Sequence, residues 1–211
     1  MDINNFNNFL DAFECKISTD GKNKKIILPS AITCVGALSV KNKVCLESII
    51  IPDSAIAIGD YAFSGCPNLK SIKIGKEVGT IGAYAFYNCE SLKSIIIPNG
   101  VTSINVCAFY GCSSLTDITM SDSVAYIGNY AFYNCKSLKS ITIPEGVTNI
   151  EPQAFKGCES LTSVTISNSV THIGKNAFRD CPSDLTIYGE SDSYAEKYAK
   201  NNYIKFKIKG E

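Results

Sequence analysis

The five residues AFYNC occur at residues 85–89 and again at residues 131–135, 46 residues later. Halfway between them, residues 108–112 read AFYGC, so the basic spacing is 23 residues. Three related copies extend the series: AFSGC at 62–66, AFKGC at 154–158 and AFRDC at 177–181. A fixed period of this length is typical of repeat architectures, in which each copy forms one structural unit.

The full unit is roughly V-x-x-I-G-x-x-A-F-x-x-C-x-x-L-x-x-I-x-I-P. L-x-x-I-x-I ends in apolar alternation and predicts a short strand, which a following Pro or small residue ends. V-x-x-I predicts a second, shorter extended segment. G-x-x-A-F-x-x-C has helical spacing, which predicts a short helix with Ala, Phe and Cys on its inward face. We expect this helix to end at residues that tolerate a left-handed backbone, namely Gly65, Asn88, Gly111, Asn134, Gly157 and Asp180.

One unit of this size cannot bury its own apolar side chains, whereas stacked units cover each other. Equivalent residues of stacked units should form straight columns through the core, with strands about 4.8 Å apart. The predicted aromatic column consists of Phe63, Phe86, Phe109, Phe132, Phe155 and Phe178.

The unit resembles the BspA-like class of leucine-rich repeats, which carries the same I-G-x-x-A-F-x-x-C and L-x-x-I-x-I-P motifs. The resemblance covers residues 26–189. It implies an α/β fold: a right-handed leucine-rich-repeat solenoid of 23-residue repeats with a parallel sheet and short helical turns. It also implies a cell-surface or secreted protein that binds other macromolecules, as in adhesion.

We expect a single solenoid domain over residues 1–211, with an N-terminal cap at 1–25, repeats at 26–189 and a C-terminal cap at 190–211. Apolar residues at helical spacing predict a cap helix over residues 2–13. A hairpin around Asp20-Gly21 should join Cys15–Ile17 to Lys25–Leu28. At the other end, a helix should start at Ser191 or Ser193, and a strand should follow in which Ile204, Phe206 and Ile208 alternate with polar residues.

The charge balance excludes one class of partner. Lys and Arg total 20, as do Asp and Glu, so the formal net charge is zero, which argues against nucleic acid binding. No apolar run is long enough to span a membrane. The first residues, MDINNFNNFL, do not resemble a signal peptide, so the sequence itself does not indicate the cellular compartment. The family resemblance alone suggests the cell surface or secretion.

Ten cysteines raise the question of zinc or disulfides. No C-x-x-C pair is present, so we expect no structural zinc site. Six cysteines share one column, where neighbouring Cα atoms should be roughly 5 Å apart but the Cβ vectors should run parallel. We therefore expect buried free thiols in that column. The redox state of Cys15, Cys34, Cys45 and Cys107, which lie outside it, stays open.

The sequence contains no recognisable catalytic set. The single histidine, His172, occupies a repeat position that also holds Thr, Ser, Tyr and Asn, which indicates a surface position. No nucleophile elbow, phosphate-binding loop or zinc-protease motif occurs. We expect neither enzymatic activity nor a cofactor.

Two surfaces remain as candidate binding sites for a protein or a glycan. The first, which we call the strand face, is the exposed side of the predicted sheet. It comprises Ser71, Lys73, Ser94, Ile96, Asp117, Thr119, Ser140, Thr142, Ser163 and Thr165. The rival site is the tyrosine column Tyr87, Tyr110 and Tyr133. Both also have ordinary structural explanations, because Thr and Ile suit exposed strands and Tyr rings can cover the core. These features favour a non-enzymatic binding module; the alternative is a structural protein that associates through its surface or its ends.

Overall fold

The computed structural model describes residues 25–210, which wind into successive coils. Each coil contributes one longer strand where the L-x-x-I-x-I motif predicts it. These strands are β1 (Lys25–Ile27), β3 (Ser48–Ile50), β5 (Ser71–Lys73), β7 (Ser94–Ile96), β9 (Asp117–Thr119), β11 (Ser140–Ile143), β13 (Ser163–Ile166) and β15 (Thr186–Gly189).

A second set of two-residue strands runs along another side of the solenoid, at the V-x-x-I motif. These are β2 (Cys34–Val35), β4 (Ala57–Ile58), β6 (Thr80–Ile81), β8 (Ser103–Ile104), β10 (Tyr126–Ile127), β12 (Asn149–Ile150) and β14 (His172–Ile173). The strand pairs within these two sets are parallel and lie one repeat apart, as in Tyr126 with Asn149. The predicted parallel-sheet solenoid is confirmed.

The segment carrying Ala, Phe and Cys forms turns, so the predicted short helix is wrong. Its backbone N–H groups alternate between two kinds of partner. Ala108 N–H donates to Asn105 within the turn, whereas Phe109 N–H donates to Ala131 O of the next coil at 2.8 Å. Because every second N–H bonds to the neighbouring coil, the hydrogen-bond pattern of an α-helix cannot form.

Two left-handed residues in each turn reinforce this geometry. The residue before each column cysteine has positive φ, as predicted, for example 55° at Asn88 and 71° at Gly111. A second left-handed residue precedes each Ala, which the sequence did not predict because it is not glycine. This second set comprises Tyr61, Tyr84, Cys107, Tyr130, Gln153 and Asn176.

The six phenylalanines of the repeat stack through the centre of the solenoid. Their ring centroids are 5.1–5.4 Å apart and their planes are within 9° of parallel. Five of these side chains are fully buried, and Phe178 in the last coil is 4% exposed. The predicted aromatic column is therefore confirmed.

The column cysteines are free thiols that donate hydrogen bonds to the backbone. Cys112 Sγ, for example, lies 3.2 Å from Phe86 O, one coil back, and the same bond recurs along the column. Cys66, Cys89, Cys112, Cys135 and Cys158 are buried, and Cys181 is half-buried. Cys107 is buried as well, whereas Cys34 is exposed and Cys45 half-buried.

A helix and a final strand cover the last coil. Helix α1 (Tyr194–Asn201) begins after Ser193, whose Oγ accepts a hydrogen bond from Glu196 N–H, so Ser193 rather than Ser191 is the N-cap. α1 buries Ala195, Tyr198 and Ala199, whereas Tyr194 is 38% exposed. The predicted final strand is confirmed as β16 (Lys205–Ile208), which pairs in parallel with β15.

The predicted N-terminal helix over residues 2–13 and the strand Cys15–Ile17 lie outside the described residues. The other half of the predicted hairpin, Lys25–Ile27, forms the first coil's strand and pairs in parallel with β3. The proposed cap boundaries stay predictions.

The sheet of longer strands divides into three pieces. β1-β3-β5, β7-β9 and β11-β13-β15-β16 each form a hydrogen-bonded ladder, with breaks after β5 and after β9. The inward side chains of the strands before the breaks, Ile72 and Ile118, are half-buried, whereas the equivalent Ile95 and Ile141 are buried. The strand face is therefore not one flat surface.

Candidate binding surfaces

The strand face follows the three pieces of the sheet. Ser71 and Lys73 lie on β5, and the next four residues of the set lie on the β7-β9 piece, where Ile96 pairs with Thr119. The last four lie on β11 and β13, where Thr142 pairs with Thr165. Ladder pairing brings the members of each piece side by side, while the two breaks separate the pieces.

Most strand-face side chains are exposed; Ser163 and Thr165, on the strand next to β15, are half-buried. Ile96 is 70% exposed, which is unusual for a large aliphatic residue flanked by polar ones. Asp117 Oδ2 accepts a hydrogen bond of 2.6 Å from Thr116 Oγ1. The strand face thus offers hydroxyls, one aliphatic side chain and charges of both signs.

A cleft of about 470 Å³ opens at the break between β9 and β11. Five strand-face residues line it: Asp117, Thr119, Ser140, Thr142 and Thr165. Three further charged residues line the cleft, namely Asp122, Glu145 and Lys209. These three were not identified from the sequence. Asp122 and Glu145 follow strands β9 and β11 at equivalent repeat positions, which is the signal that could have identified them.

The predicted tyrosine column forms a continuous ring stack. Tyr110 stacks on Tyr87 at 4.8 Å and on Tyr133 at 4.7 Å between ring centroids. A second tyrosine set lies beside it, with Tyr61 stacked on Tyr84 at 4.6 Å. The ring faces therefore contact each other, and these half-buried rings have little free surface for a ligand to stack on.

Cys107 interrupts the second tyrosine set, and its neighbourhood is internally satisfied. A hydrogen bond with the Cys107 side chain raises the pKa of Tyr84. Burial raises the pKa of Cys107. One repeat further, Tyr130 accepts a hydrogen bond of 2.9 Å from Gln153 Nε2. These side chains support the solenoid wall rather than forming a reactive centre.

The other reactive groups are dispersed or protected. Burial raises the pKa of the Cys112 thiol to about 12, and a neutral thiol is a poor nucleophile. His172 is exposed, as predicted. Within residues 25–210, no group of three His, Cys, Asp or Glu residues could hold a metal ion. No helix in the same range is long and apolar enough to cross a bilayer.

Comparison with protein families identifies the repeat. The profile described as "BspA type Leucine rich repeat region (6 copies)" matches residues 18–124 and 79–205. The chain belongs to this family. No curated protein matches this BspA-type chain in sequence.

Two crystal structures show the same fold. A leucine-rich repeat protein from Bacteroides ovatus ATCC 8483 is 36% identical with a TM-score of 0.74, and the match covers 86% of this chain and 46% of that one. The T. pallidum leucine-rich repeat protein TpLRR is 27% identical with a TM-score of 0.72, covering 88% of this chain and 86% of that one. The BspA-type chain therefore spans less than half of the Bacteroides protein.

Proposed function

We propose that this BspA-type protein is a non-enzymatic binding module whose strand face docks a protein or a glycan. The observation that carries the proposal is the strand face itself: polar and charged side chains, with one exposed isoleucine, presented to solvent on strands. Side chains on regular elements are held more precisely than those on loops, so binding costs little ordering entropy. Leucine-rich repeats generally mediate protein interactions, which supports a protein partner first.

The tyrosine column is the weaker candidate. Its rings stack on one another, so a ligand would meet their edges and hydroxyls rather than their faces. Tyrosine is a strong interface anchor when its ring inserts into a pocket of the partner. A ring in this stack could insert in that way only by giving up its contacts with the neighbouring rings.

Absence of catalysis is part of the same proposal. The buried thiols have raised pKa values, and the single histidine lies on the surface away from them. A nucleophile without an adjacent base would not be activated. Adhesion at a cell surface is the biological role that the family resemblance favours.

The test is a binding screen on immobilised extracellular proteins and glycans with three forms of the chain. The strand-face variant carries Lys73→Thr and Ile96→Thr, since threonine occupies the equivalent repeat position at 119, 142 and 165. The tyrosine variant carries serine at positions 87, 110 and 133, since Ser64 occupies the same position one coil earlier. Unchanged thermal unfolding would establish that each variant folds.

We expect the strand-face variant to lose the partners that the natural chain captures, and the tyrosine variant to keep them. Loss of binding in the tyrosine variant alone would assign the site to the tyrosine column. Retention in both would exclude the tyrosine column and the part of the strand face around Lys73 and Ile96.

A further inference from the structure

We propose that the cleft between β9 and β11 receives a basic side chain, arginine above all, from an extended segment of a partner protein. This inference rests on the proposed binding function of the strand face and names the chemistry that one part of that face recognises. Three independent features of the cleft lead to it: its shape, its unpaired charge and its lining.

The shape follows from the break in the sheet. β9 and β11 belong to consecutive coils but form no ladder. The half-buried side chains of Ile118 and Met120 line the resulting opening. The resulting cleft of about 470 Å³ can hold a long side chain, whereas a flat sheet offers no such depression. A partner segment lying across the strand face could insert one residue there.

Among residues 25–210, the charged side chains that line the cleft do not balance one another. Asp117, Asp122 and Glu145 line it against one ammonium group, Lys209, which leaves a formal charge of −2. None of the three carboxylates forms an ion pair among residues 25–210. Elsewhere several carboxylates do have a lysine partner at 2.8 Å, as in Glu47 with Lys70, Glu159 with Lys136 and Glu196 with Lys200. The cleft is thus an acidic depression on a protein of zero net charge, complementary to a cation.

The lining distinguishes arginine from other occupants. The carboxylates accept paired hydrogen bonds in the geometry that a guanidinium presents, and Thr119 and Thr142 add hydroxyl acceptors. Ile118 and Met120 offer apolar contact for the aliphatic stem of the side chain. None of the described residues that line the cleft is aromatic, so these residues offer a sugar no ring to stack on.

The test uses short blocked peptides that share a Ser-Thr sequence and differ only at two central residues, which are arginine, norleucine or glutamate. Each is titrated into the isotope-labelled chain and followed through the backbone amide signals. We expect the arginine peptide to shift the amides of residues 117–122 and 140–145 selectively. We also expect its binding to weaken as salt is added, because the attraction is between exposed charges.

A neutralised variant and a matched control locate the effect. Asp117→Asn, Asp122→Asn and Glu145→Gln together remove the cleft's carboxylates with little change in shape. The control carries Glu77→Gln, Glu90→Gln and Glu159→Gln, which neutralise three exposed carboxylates outside the cleft. We expect the cleft variant to bind the arginine peptide about tenfold more weakly and the control to bind it like the natural chain.

Four outcomes would overturn the inference: no binding of the arginine peptide, equal binding of all three peptides, shifts elsewhere on the chain, or equal loss in both variants. Failure here is separable from failure of the proposed function. If captured partners depend on Lys73 and Ile96 while the arginine peptide does not bind, the strand face stands and the cleft assignment falls. If the arginine peptide binds the cleft while the captured partners do not depend on Lys73 and Ile96, the cleft assignment stands and the docking site does not include those two residues.

Discussion

At the scale of single residues, the 46-residue recurrence of AFYNC has a steric cause. One left-handed position of the repeat, which precedes the column cysteine from Gly65 onward, alternates between asparagine and glycine until Asp180 ends the series. Its members are Asn42, Gly65, Asn88, Gly111, Asn134 and Gly157. A Cβ on any of these glycines would overlap the Oδ1 of the asparagine one coil earlier. Each asparagine therefore requires a glycine in the next coil, which doubles the period.

We predict that Gly111→Ala destabilises the protein by on the order of 2 kcal/mol, because alanine is strained at a φ of 71° and collides with Asn88. In an Asn88→Gly background the same substitution should cost less, since the overlap is removed. Gly79→Ala is the matched control, because the nearest atom to its added Cβ would be 3.6 Å away. Urea unfolding measures the free energy of unfolding of Gly111→Ala, Asn88→Gly, their combination and Gly79→Ala. An equal loss of stability from Gly111→Ala with and without Asn88→Gly would refute the steric explanation.

The buried thiols predict a loss of stability at alkaline pH. Burial raises the pKa of Cys66 from 9.0 to about 11 and that of Cys112 from 9.0 to about 12. The folded state thus retains protons that the unfolded chain releases. The contribution of these thiols to stability is complete below pH 9 and is lost as pH rises towards the folded values.

We expect the free energy of unfolding to fall above pH 9 by on the order of 1 kcal/mol per pH unit for each such thiol. Cys112→Ala should lower stability at neutral pH but flatten this slope, because it removes one of the buried thiols. Urea midpoints measured across this pH range give both quantities. An unchanged slope in Cys112→Ala would show that another group controls the alkaline transition.

At the scale of the structural element, each coil depends on its neighbours through the phenylalanine stack. Phe109 is fully buried between Phe86 and Phe132, at 5.2 and 5.4 Å between ring centroids. We predict that Phe109→Ala lowers the free energy of unfolding by about 3–5 kcal/mol, because it leaves a cavity between two coils. Phe109→Leu should cost less. Thermal or urea unfolding measures both, and a cost below about 1 kcal/mol for the alanine would mean that the stack collapses to fill the gap.

The elements also show where sequence reasoning succeeds and where it fails. Apolar spacing was sufficient to identify the strands and the inward Ala, Phe and Cys, since burial imposes that pattern directly. It could not distinguish a helix from a turn, because helical spacing says which side chains point inward but not where the N–H groups bond. The left-handed residues at Tyr84 and Cys107 give no sign in composition, since stacking between coils imposes them.

At the scale of the whole molecule, the strand face was predictable as a surface but the cleft within it was not. The repeat phase assigns Asp117 and Thr119 to the exposed side of a strand, as found. The break that separates β9 from β11 depends on how neighbouring coils pack, which one repeat does not encode. Lys209 reaches the cleft from the C-terminal tail and lies 92 residues after Asp117 in the sequence. Residues assembled from distant coils require the structure.

The C-terminal end of the solenoid bears on the alternative of assembly through the ends. α1 covers the last coil, where the Tyr198 ring meets the Phe178 ring edge-on at 6.0 Å between centroids. β16 then forms the edge of the sheet and carries exposed Lys205 and Lys207. Charged side chains on an edge strand disfavour pairing with another chain, so this end is built against stacking.

We predict that deleting residues 191–211 makes the protein self-associate. The deletion removes β16 and α1, which exposes the backbone edge of β15 and apolar side chains of the last coil such as Phe178 and Ile187. Light scattering during size-exclusion chromatography at increasing concentration measures the mass of the deletion variant and of the full chain.

A second variant, the full chain with Lys205→Ser and Lys207→Ser, separates the effect of charge from the effect of covering the core. If the lysine charges alone protect the edge, this variant will associate as the deletion variant does. If covering the core matters, this variant will not associate. A deletion that keeps the mass of the full chain would mean that α1 and β16 are not what keeps this end from associating.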